Sequence, residues 1–131
     1  INDALIPFRD AIEAGVDMVM MSSASYPGLG SRMPAALAPP VVQGLLRDQL
    51  GFEGVIVTDD LESEAISEGT SPANAAVAAL AAGNDLALFA GSARTATTAF
   101  DAVVKAAKAG ELDRGLLDQA FTRVATLKAG L

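Results

Sequence analysis

The sequence predicts an α/β fold in which helices alternate with the strands of a parallel sheet. Three short apolar segments, MVMM, VIV and LALF, indicate strands at about residues 17–21, 55–58 and 86–89. Segments whose apolar residues recur at helical spacing separate them. The strand segments show no alternation with polar residues, and strands of that kind are typical of a covered parallel sheet.

The first half of the chain is predicted to contain two helices and two strands. The first helix ends at Gly15, because glycine commonly follows the last helical residue. The strand MVMM comes next, and a polar loop then leads to Pro39 and Pro40, which suit the first turn of a helix. That helix ends at Gly51, and the second strand begins at Val55.

The second half is predicted to contain the third strand and three longer helices. Ser71 and Pro72 indicate an N-cap and a first helical residue, and Gly83 ends this Ala-rich helix. The strand LALFA follows, then a helix that ends at Gly110, and Asp113 caps the last helix. The predicted apolar faces of the last two helices comprise Phe100, Val103, Val104 and Ala107, and Leu117, Ala120, Phe121 and Val124.

This regular alternation predicts one part of a larger architecture. A (β/α)8 TIM barrel needs roughly 250 residues, and three strands are too few to close one. Residues 1–131 are therefore predicted to form a single partial domain, the C-terminal portion of a barrel whose earlier strands are absent. Its inner apolar face is expected to be uncovered, so the chain needs the missing barrel half or oligomerisation. A small open α/β sandwich of three or four strands is the alternative.

The composition excludes several classes of partner and site. Sixteen acidic against nine basic residues give a net charge of −7 without a basic patch, so nucleic acid and anionic membranes are not expected partners. The absence of Cys excludes disulfides, and the absence of His removes the commonest general base and metal ligand. The chain begins with Ile1, not Met, so its N-terminus is expected to lie upstream and its localisation is left open.

Two adjacent aspartates, Asp59 and Asp60, follow the second strand in the stretch GVIVTDDLESEA. Ligands of α/β folds bind at the carboxyl ends of strands. One aspartate can cap the turn that follows, while the other points towards the barrel mouth. Burying a charge there costs several kcal/mol unless pairing or chemistry offsets it. The pair therefore predicts a catalytic site.

Around these aspartates, GFEGVIVTDDLESEAI resembles the nucleophile segment of glycoside hydrolase family 3, whose pattern is roughly G-F-x-G-V-[IV]-[VIF]-[ST]-D-[DA]-L-x-M-x-A. The resemblance continues, in order and spacing, through LIPFRDAIEAGVDMVMMSSASYP, LAPPVVQGLLRDQLGF and AALAAGNDLALFAG. It covers nearly the whole chain. It implies the end of the family's N-terminal catalytic barrel, from the helix before strand six to the closing helices.

The resemblance also implies roles for individual residues. Asp59 matches the nucleophile of a retaining glycosidase, which traps an oxocarbenium-like centre as a glycosyl-enzyme. Asp60 is then an accessory residue that orients or caps. Ser23 stands where the family frequently has His and Ser63 where it has Met, and both are candidate residues of the sugar pocket. No cofactor and no metal are implied.

Several other positions near the strand ends are also interpreted from the sequence. Tyr26 either stacks on a sugar or packs against Pro27. Gly91 and Ser92, between the last strand and a helix, either bind phosphate or cap the helix, and capping is favoured. Glu62 is interpreted as part of a solvated helix start.

The general acid is expected to lie outside these 131 residues. The hexosaminidase-like branch carries it in a K-H-F-P-G-H-G loop before strand six, and a chain without His lacks that loop. Other branches supply it from a second domain after the barrel. The isolated chain is therefore predicted to be inactive.

The leading hypothesis is a retaining glycoside hydrolase that removes terminal β-linked N-acetylglucosamine. β-Glucosidase is the alternative within the family. A metal-assisted barrel enzyme that uses Asp59, Asp60 and Glu62 around Mg²⁺ is a different class. A non-catalytic half-barrel that requires a partner is the third.

Overall fold

The structure, a computed structural model, describes residues 3–131 and contains a sheet of three parallel strands. They are β1 (Met18–Met21), β2 (Val55–Asp60) and β3 (Leu86–Leu88), in the spatial order β1-β2-β3. β1 pairs in register with β2, whereas the pairing of β2 with β3 shifts between Val57 and Asp60. The three predicted strands and their parallel order are confirmed.

Helices connect and flank the strands, as the sequence predicts. The α-helices are α1 (Ile6–Glu13), α2 (Glu64–Ser67), α3 (Pro72–Ala82), α4 (Ala93–Ala109) and α5 (Arg114–Ala129). A π-helix spans Pro40–Gln49, and short 3-10 turns span Asp3–Leu5, Pro27–Leu29 and Ala35–Leu37. Within residues 3–131 no helix is both long enough and apolar enough to cross a membrane.

The predicted helix ends are supported by local hydrogen bonds. The side chains of Ser71 and Asp113 accept hydrogen bonds from the backbone N–H groups of Asn74 and Leu116, respectively. These contacts satisfy donors that the first turn of a helix leaves free. Gly83 ends α3 with a φ of 102°, a left-handed conformation that favours glycine.

One face of the sheet packs against helices. Val19 and Met21 of β1 and Ile56 of β2 belong to a cluster that also contains apolar residues of the π-helix. A second cluster joins Leu61 and Ile66, which follow β2, to the small residues of α3 and α4. The helices therefore bury one face of the sheet and leave the strand ends accessible.

The opposite face of the sheet is open. Met18, Met20, Leu86 and Leu88 are all exposed, and Met20 is 55% exposed. Strand side chains point alternately to the two faces, so these residues form the face opposite Val19. The outer edges of β1 and β3 also have no neighbouring strand among residues 3–131. This open apolar face is the one that the sequence predicts for part of a barrel.

Two residues of the predicted helix faces are not buried. Phe100 is 66% exposed and Phe121 is 76% exposed, whereas Ala99 and Ala120 next to them are buried. The predicted helices are present, but the two phenylalanines of their apolar faces are exposed within residues 3–131.

A buried ionic cluster fixes the start of β2. The Asp85 carboxylate accepts hydrogen bonds from Ile56 N at 2.7 Å, from Arg47 at 2.6 Å and from Arg123 at 3.0 Å. Arg47 also donates to the carbonyl oxygens of Phe52 and Gly54. Burial lowers the pKa of Arg47 below its ordinary value, and the attraction of Asp85 opposes that shift. The cluster joins β2 to the π-helix, to the entry of β3 and to α5.

Candidate active site

Asp59 lies near the carboxyl end of β2, the central strand of the sheet. Alternation along the strand places its side chain on the same face as Val57, which is the open face. One carboxylate oxygen, Oδ2, accepts a hydrogen bond from Ser23 Oγ at 3.0 Å. The other, Oδ1, accepts from the backbone N–H of Asp60 at 2.8 Å. The carboxylate is thus half-buried and oriented by two donors.

The side chain of Asp60 contacts the turn after β2 and the loop after β3. Its Oδ1 accepts hydrogen bonds from Glu62 N at 3.0 Å and from Ala90 N at 3.1 Å. The side chain therefore holds the turn after β2 and the loop after β3. These contacts are those of a side chain that caps a turn, and the accessory role of Asp60 in catalysis stays a prediction.

Glu62 differs from its prediction as part of a solvated helix start. Its side chain is partly buried, and Oε2 accepts a hydrogen bond from Gly91 N at 2.7 Å. A Cβ at position 91 would lie 2.7 Å from the same carboxylate, so a larger residue there would displace the end of the Glu62 side chain. Glu62 thus joins the loop after β3 to the end of β2, a contact between residues far apart in the sequence.

The loop after β3 does not present a free anion site. The N–H of Gly91 already donates to the Glu62 carboxylate, which would repel a phosphate. Ser92 caps α4 by accepting a hydrogen bond from Thr95 N at 3.1 Å. Of the two interpretations of these residues, capping is the one that the geometry supports.

Ser63 and Tyr26, two further candidate pocket residues, have different surroundings. Ser63 precedes α2, and its enclosed hydroxyl has no hydrogen-bond partner among residues 3–131. The Tyr26 ring lines an apolar cavity of about 530 Å³ together with Pro27 and residues of β1 and the π-helix. Asp59 is not among the residues that line this cavity. The structure therefore brings Ser23, but not Tyr26, into contact with Asp59.

The geometry gives no support to the magnesium hypothesis. Asp60 and Glu62 each accept a backbone hydrogen bond from the loop after β3, whereas Asp59 accepts from Ser23 and from Asp60 N, so the three carboxylates are engaged with different partners. In the part of the chain that the structure describes, no group of three or more acidic residues is arranged to hold a metal ion.

Comparison with a family of known proteins gives a match along almost the whole chain. The family described as the glycosyl hydrolase family 3 N terminal domain matches residues 1–127. The match includes the strand end with Asp59 and the loop with Ser23.

Two relatives illustrate how much of the chain is shared. An uncharacterized secreted glycosyl hydrolase of Arthroderma benhamiae is 34% identical over 127 residues, which are 96% of this chain and 36% of that protein. A β-N-acetylglucosaminidase/β-glucosidase of Cellulomonas fimi is 32% identical over 136 aligned positions, 96% of this chain and 24% of that protein. The chain thus spans about a quarter to a third of the length of these relatives.

A solved structure agrees with the fold. The family 3 β-N-acetylglucosaminidase from Paenibacillus sp. superposes with a TM-score of 0.92 at 39% identity, over 95% of this chain and 24% of that one. The three parallel strands and their helices therefore match part of the barrel-like domain of such an enzyme, and the open sandwich is not needed to explain the fold.

Proposed function

The chain belongs to glycosyl hydrolase family 3, and from that premise we propose that it supplies the nucleophile of a retaining β-N-acetylglucosaminidase. The observation that carries the proposal is the carboxylate of Asp59 at the end of the central strand, with a donor on each oxygen. A retaining enzyme needs an ionised carboxylate held rigidly below the anomeric carbon. A strand end between two paired strands fixes such an oxygen better than a free loop does.

The proposed reaction has two steps. In the first, a free lone pair of the Asp59 carboxylate attacks the anomeric carbon, and the bond from that carbon to the leaving-group oxygen breaks. The leaving oxygen takes a proton from a general acid. In the second step, water attacks the anomeric carbon of the glycosyl-enzyme, gives its proton to the same group acting as base, and releases Asp59.

The general acid comes, in this proposal, from outside the 131 residues. In retaining glycosidases the two carboxyl groups stand about 5–5.5 Å apart across the scissile bond. Asp60 and Glu62, the acidic residues nearest to Asp59 in the sequence, each accept a backbone hydrogen bond from the loop after β3. We therefore do not assign the general acid to either side chain.

The chain is therefore proposed to act as a single partial domain. Its open face carries Met18, Met20, Leu86 and Leu88, and the outer edges of β1 and β3 are unpaired among residues 3–131. Further βα units of a barrel would cover this face and pair with both edges. A non-catalytic half-barrel that binds a separate partner is the alternative, since such a partner could cover the same surface.

The substrate is proposed to be a terminal β-linked N-acetylglucosamine residue. Similarity to the Paenibacillus β-N-acetylglucosaminidase at 39% identity supports this sugar. β-Glucosides are a second candidate, because the Cellulomonas relative is named for both activities. Ser23 and Ser63 stand where the family pattern has larger residues.

The 131 residues alone are expected not to hydrolyse an aryl N-acetyl-β-glucosaminide, because the general acid and the rest of the barrel are absent. The complete enzyme of which we propose this chain to be a part is expected to hydrolyse it with retention of the anomeric configuration. Release of the aryl group measures the rate, and NMR of the first sugar product gives its configuration.

Clear turnover by a purified 131-residue monomer would contradict the proposal that the general acid lies outside these residues. Hydrolysis with inversion by the complete enzyme would contradict a nucleophilic Asp59. If the complete enzyme cleaves only the aryl β-glucoside, the proposed mechanism stands but the substrate is glucose-based and not N-acetylglucosamine.

A further inference from the structure

We propose that Ser23 is a positioning residue that holds the carboxylate of Asp59 ready for attack. This inference rests on the proposed nucleophilic role of Asp59 and adds to it a function for a residue 36 positions earlier in the chain. The sequence predicts Ser23 in the sugar pocket, and in the structure its hydroxyl donates to the carboxylate of the proposed nucleophile.

The first support is the geometry of the carboxylate. Ser23 Oγ lies 3.0 Å from Asp59 Oδ2, and Asp60 N lies 2.8 Å from Asp59 Oδ1. The two donors come from different strand ends and restrain rotation of the carboxylate about its χ2 angle. Each carboxylate oxygen has about two lone-pair sites, so a free pair remains on each for attack. The side chain of Asp59 is therefore held without being blocked.

The second support is the rigidity of the loop that carries Ser23. The carbonyl oxygen of Ser22 accepts a hydrogen bond from Ala36 N at 3.0 Å, and that of Ala24 accepts from Ala35 N at 2.9 Å. The hydroxyl of Ser22 also accepts from Ala24 N at 3.0 Å. Both neighbours of Ser23 are thus fixed, and the Ser23 hydroxyl meets Asp59 from a loop that is already ordered. Because the Ser23 hydroxyl is already held in place, little conformational entropy is lost when it orients Asp59 for the reaction.

We therefore expect Ser23 to affect kcat and not KM. Without the hydroxyl, the Asp59 carboxylate keeps, among residues 3–131, the neighbouring backbone N–H as its hydrogen-bond donor and can turn away from the anomeric carbon. Substrate binding does not depend on this contact, so the effect falls on the chemical step. A residue that contacted the sugar directly would instead affect binding.

The test compares three serine variants in the complete enzyme with an aryl N-acetyl-β-glucosaminide. Ser23→Ala is expected to lower kcat by about 10- to 100-fold, the range for a hydrogen bond to a charged group, with KM little changed. Ser23→Thr retains the hydroxyl and is expected to recover most of the lost kcat. Ser25→Ala removes an exposed hydroxyl of the same loop and is expected to leave kcat unchanged.

The outcomes separate this inference from the proposed function. A Ser23→Ala variant with unchanged kcat would overturn the positioning role, and so would one with a raised KM at unchanged kcat, which indicates a sugar contact. Failure of Ser23→Thr to recover kcat, with thermal unfolding of both variants as in the wild type, would also overturn it. If Asp59→Ala itself retains turnover, the proposed function fails first, and Ser23 has no nucleophile to position.

Discussion

Replacing Asp59 with alanine in the complete enzyme is expected to lower kcat by on the order of 10⁴-fold or more, with the fold intact. The Asp59 carboxylate forms the covalent intermediate. Its loss therefore removes the glycosylation step itself, and not merely a contact with the substrate. Its neighbours cannot substitute for it, because Asp60 and Glu62 are bound to the loop after β3. Steady-state hydrolysis of an aryl glycoside measures the effect, and circular dichroism checks the fold.

Asp60→Ala is the matched control, since it removes a carboxylate one position away. Its loss breaks the contacts with Glu62 N and Ala90 N, which contribute about 0.5–2 kcal/mol of stability. Activity is therefore expected to fall far less than in Asp59→Ala. Equal losses of activity in the two folded variants would contradict the assignment of different roles to the two aspartates.

Replacing Asp85 with alanine is expected to destabilise the complete enzyme by about 3–5 kcal/mol. The carboxylate is almost fully buried and is the common partner of Arg47, Arg123 and Ile56 N. Its removal leaves the guanidinium of Arg47, whose side chain is only 8% exposed, as an uncompensated buried charge. Urea denaturation monitored by circular dichroism measures the change in the free energy of unfolding.

Arg114→Ala provides the comparison for an exposed ion pair. Arg114 and Asp118 lie 3.2 Å apart on α5, and their side chains are 88% and 67% exposed. Water screens such a pair, so its loss is expected to cost no more than about 0.5 kcal/mol. If Asp85→Ala were as stable as Arg114→Ala, the cluster around Asp85 would not fix the start of β2.

The local features of the fold were predictable because they depend on neighbouring residues. The apolar segment VIV, the cap at Ser71 and the glycine at position 83 each act within a few residues, and all three have the predicted structure. The position of Asp59 was predictable for the same reason, since it follows directly from where the strand ends.

The contacts of the site were harder to predict because they join distant residues. Glu62 was interpreted as solvated, but it is paired with the N–H of Gly91, 29 residues later. The donation from Ser23 to Asp59 depends on the register between β1 and β2, which no local pattern contains. The glycine at position 91, just beyond the predicted third strand, was the available signal for the contact with Glu62, because a glycine lets a side chain approach closely.

The ionic cluster around Asp85 was missed altogether. The only signal was a weak repeat, because AIEAGVDMVM and ALAAGNDLAL both place Ala-Gly and an aspartate before a strand. The two aspartates have different environments in the structure. Asp85 is buried with two arginines, whereas Asp17 is exposed, because Arg47 and Arg123 lie beside the entry of β3.

The most direct test of the central claim is to trap the glycosyl-enzyme. The complete enzyme would be treated with an activated 5-fluoro derivative of N-acetylglucosamine, which keeps the 2-acetamido group and slows the breakdown of the covalent intermediate. The protein would then be digested and analysed by tandem mass spectrometry. We expect the sugar mass on a peptide that contains TDDLESEA, attached to Asp59. Attachment to Asp60 or Glu62, or steady turnover by Asp59→Ala without any labelled peptide, would contradict the assignment of Asp59 as the nucleophile.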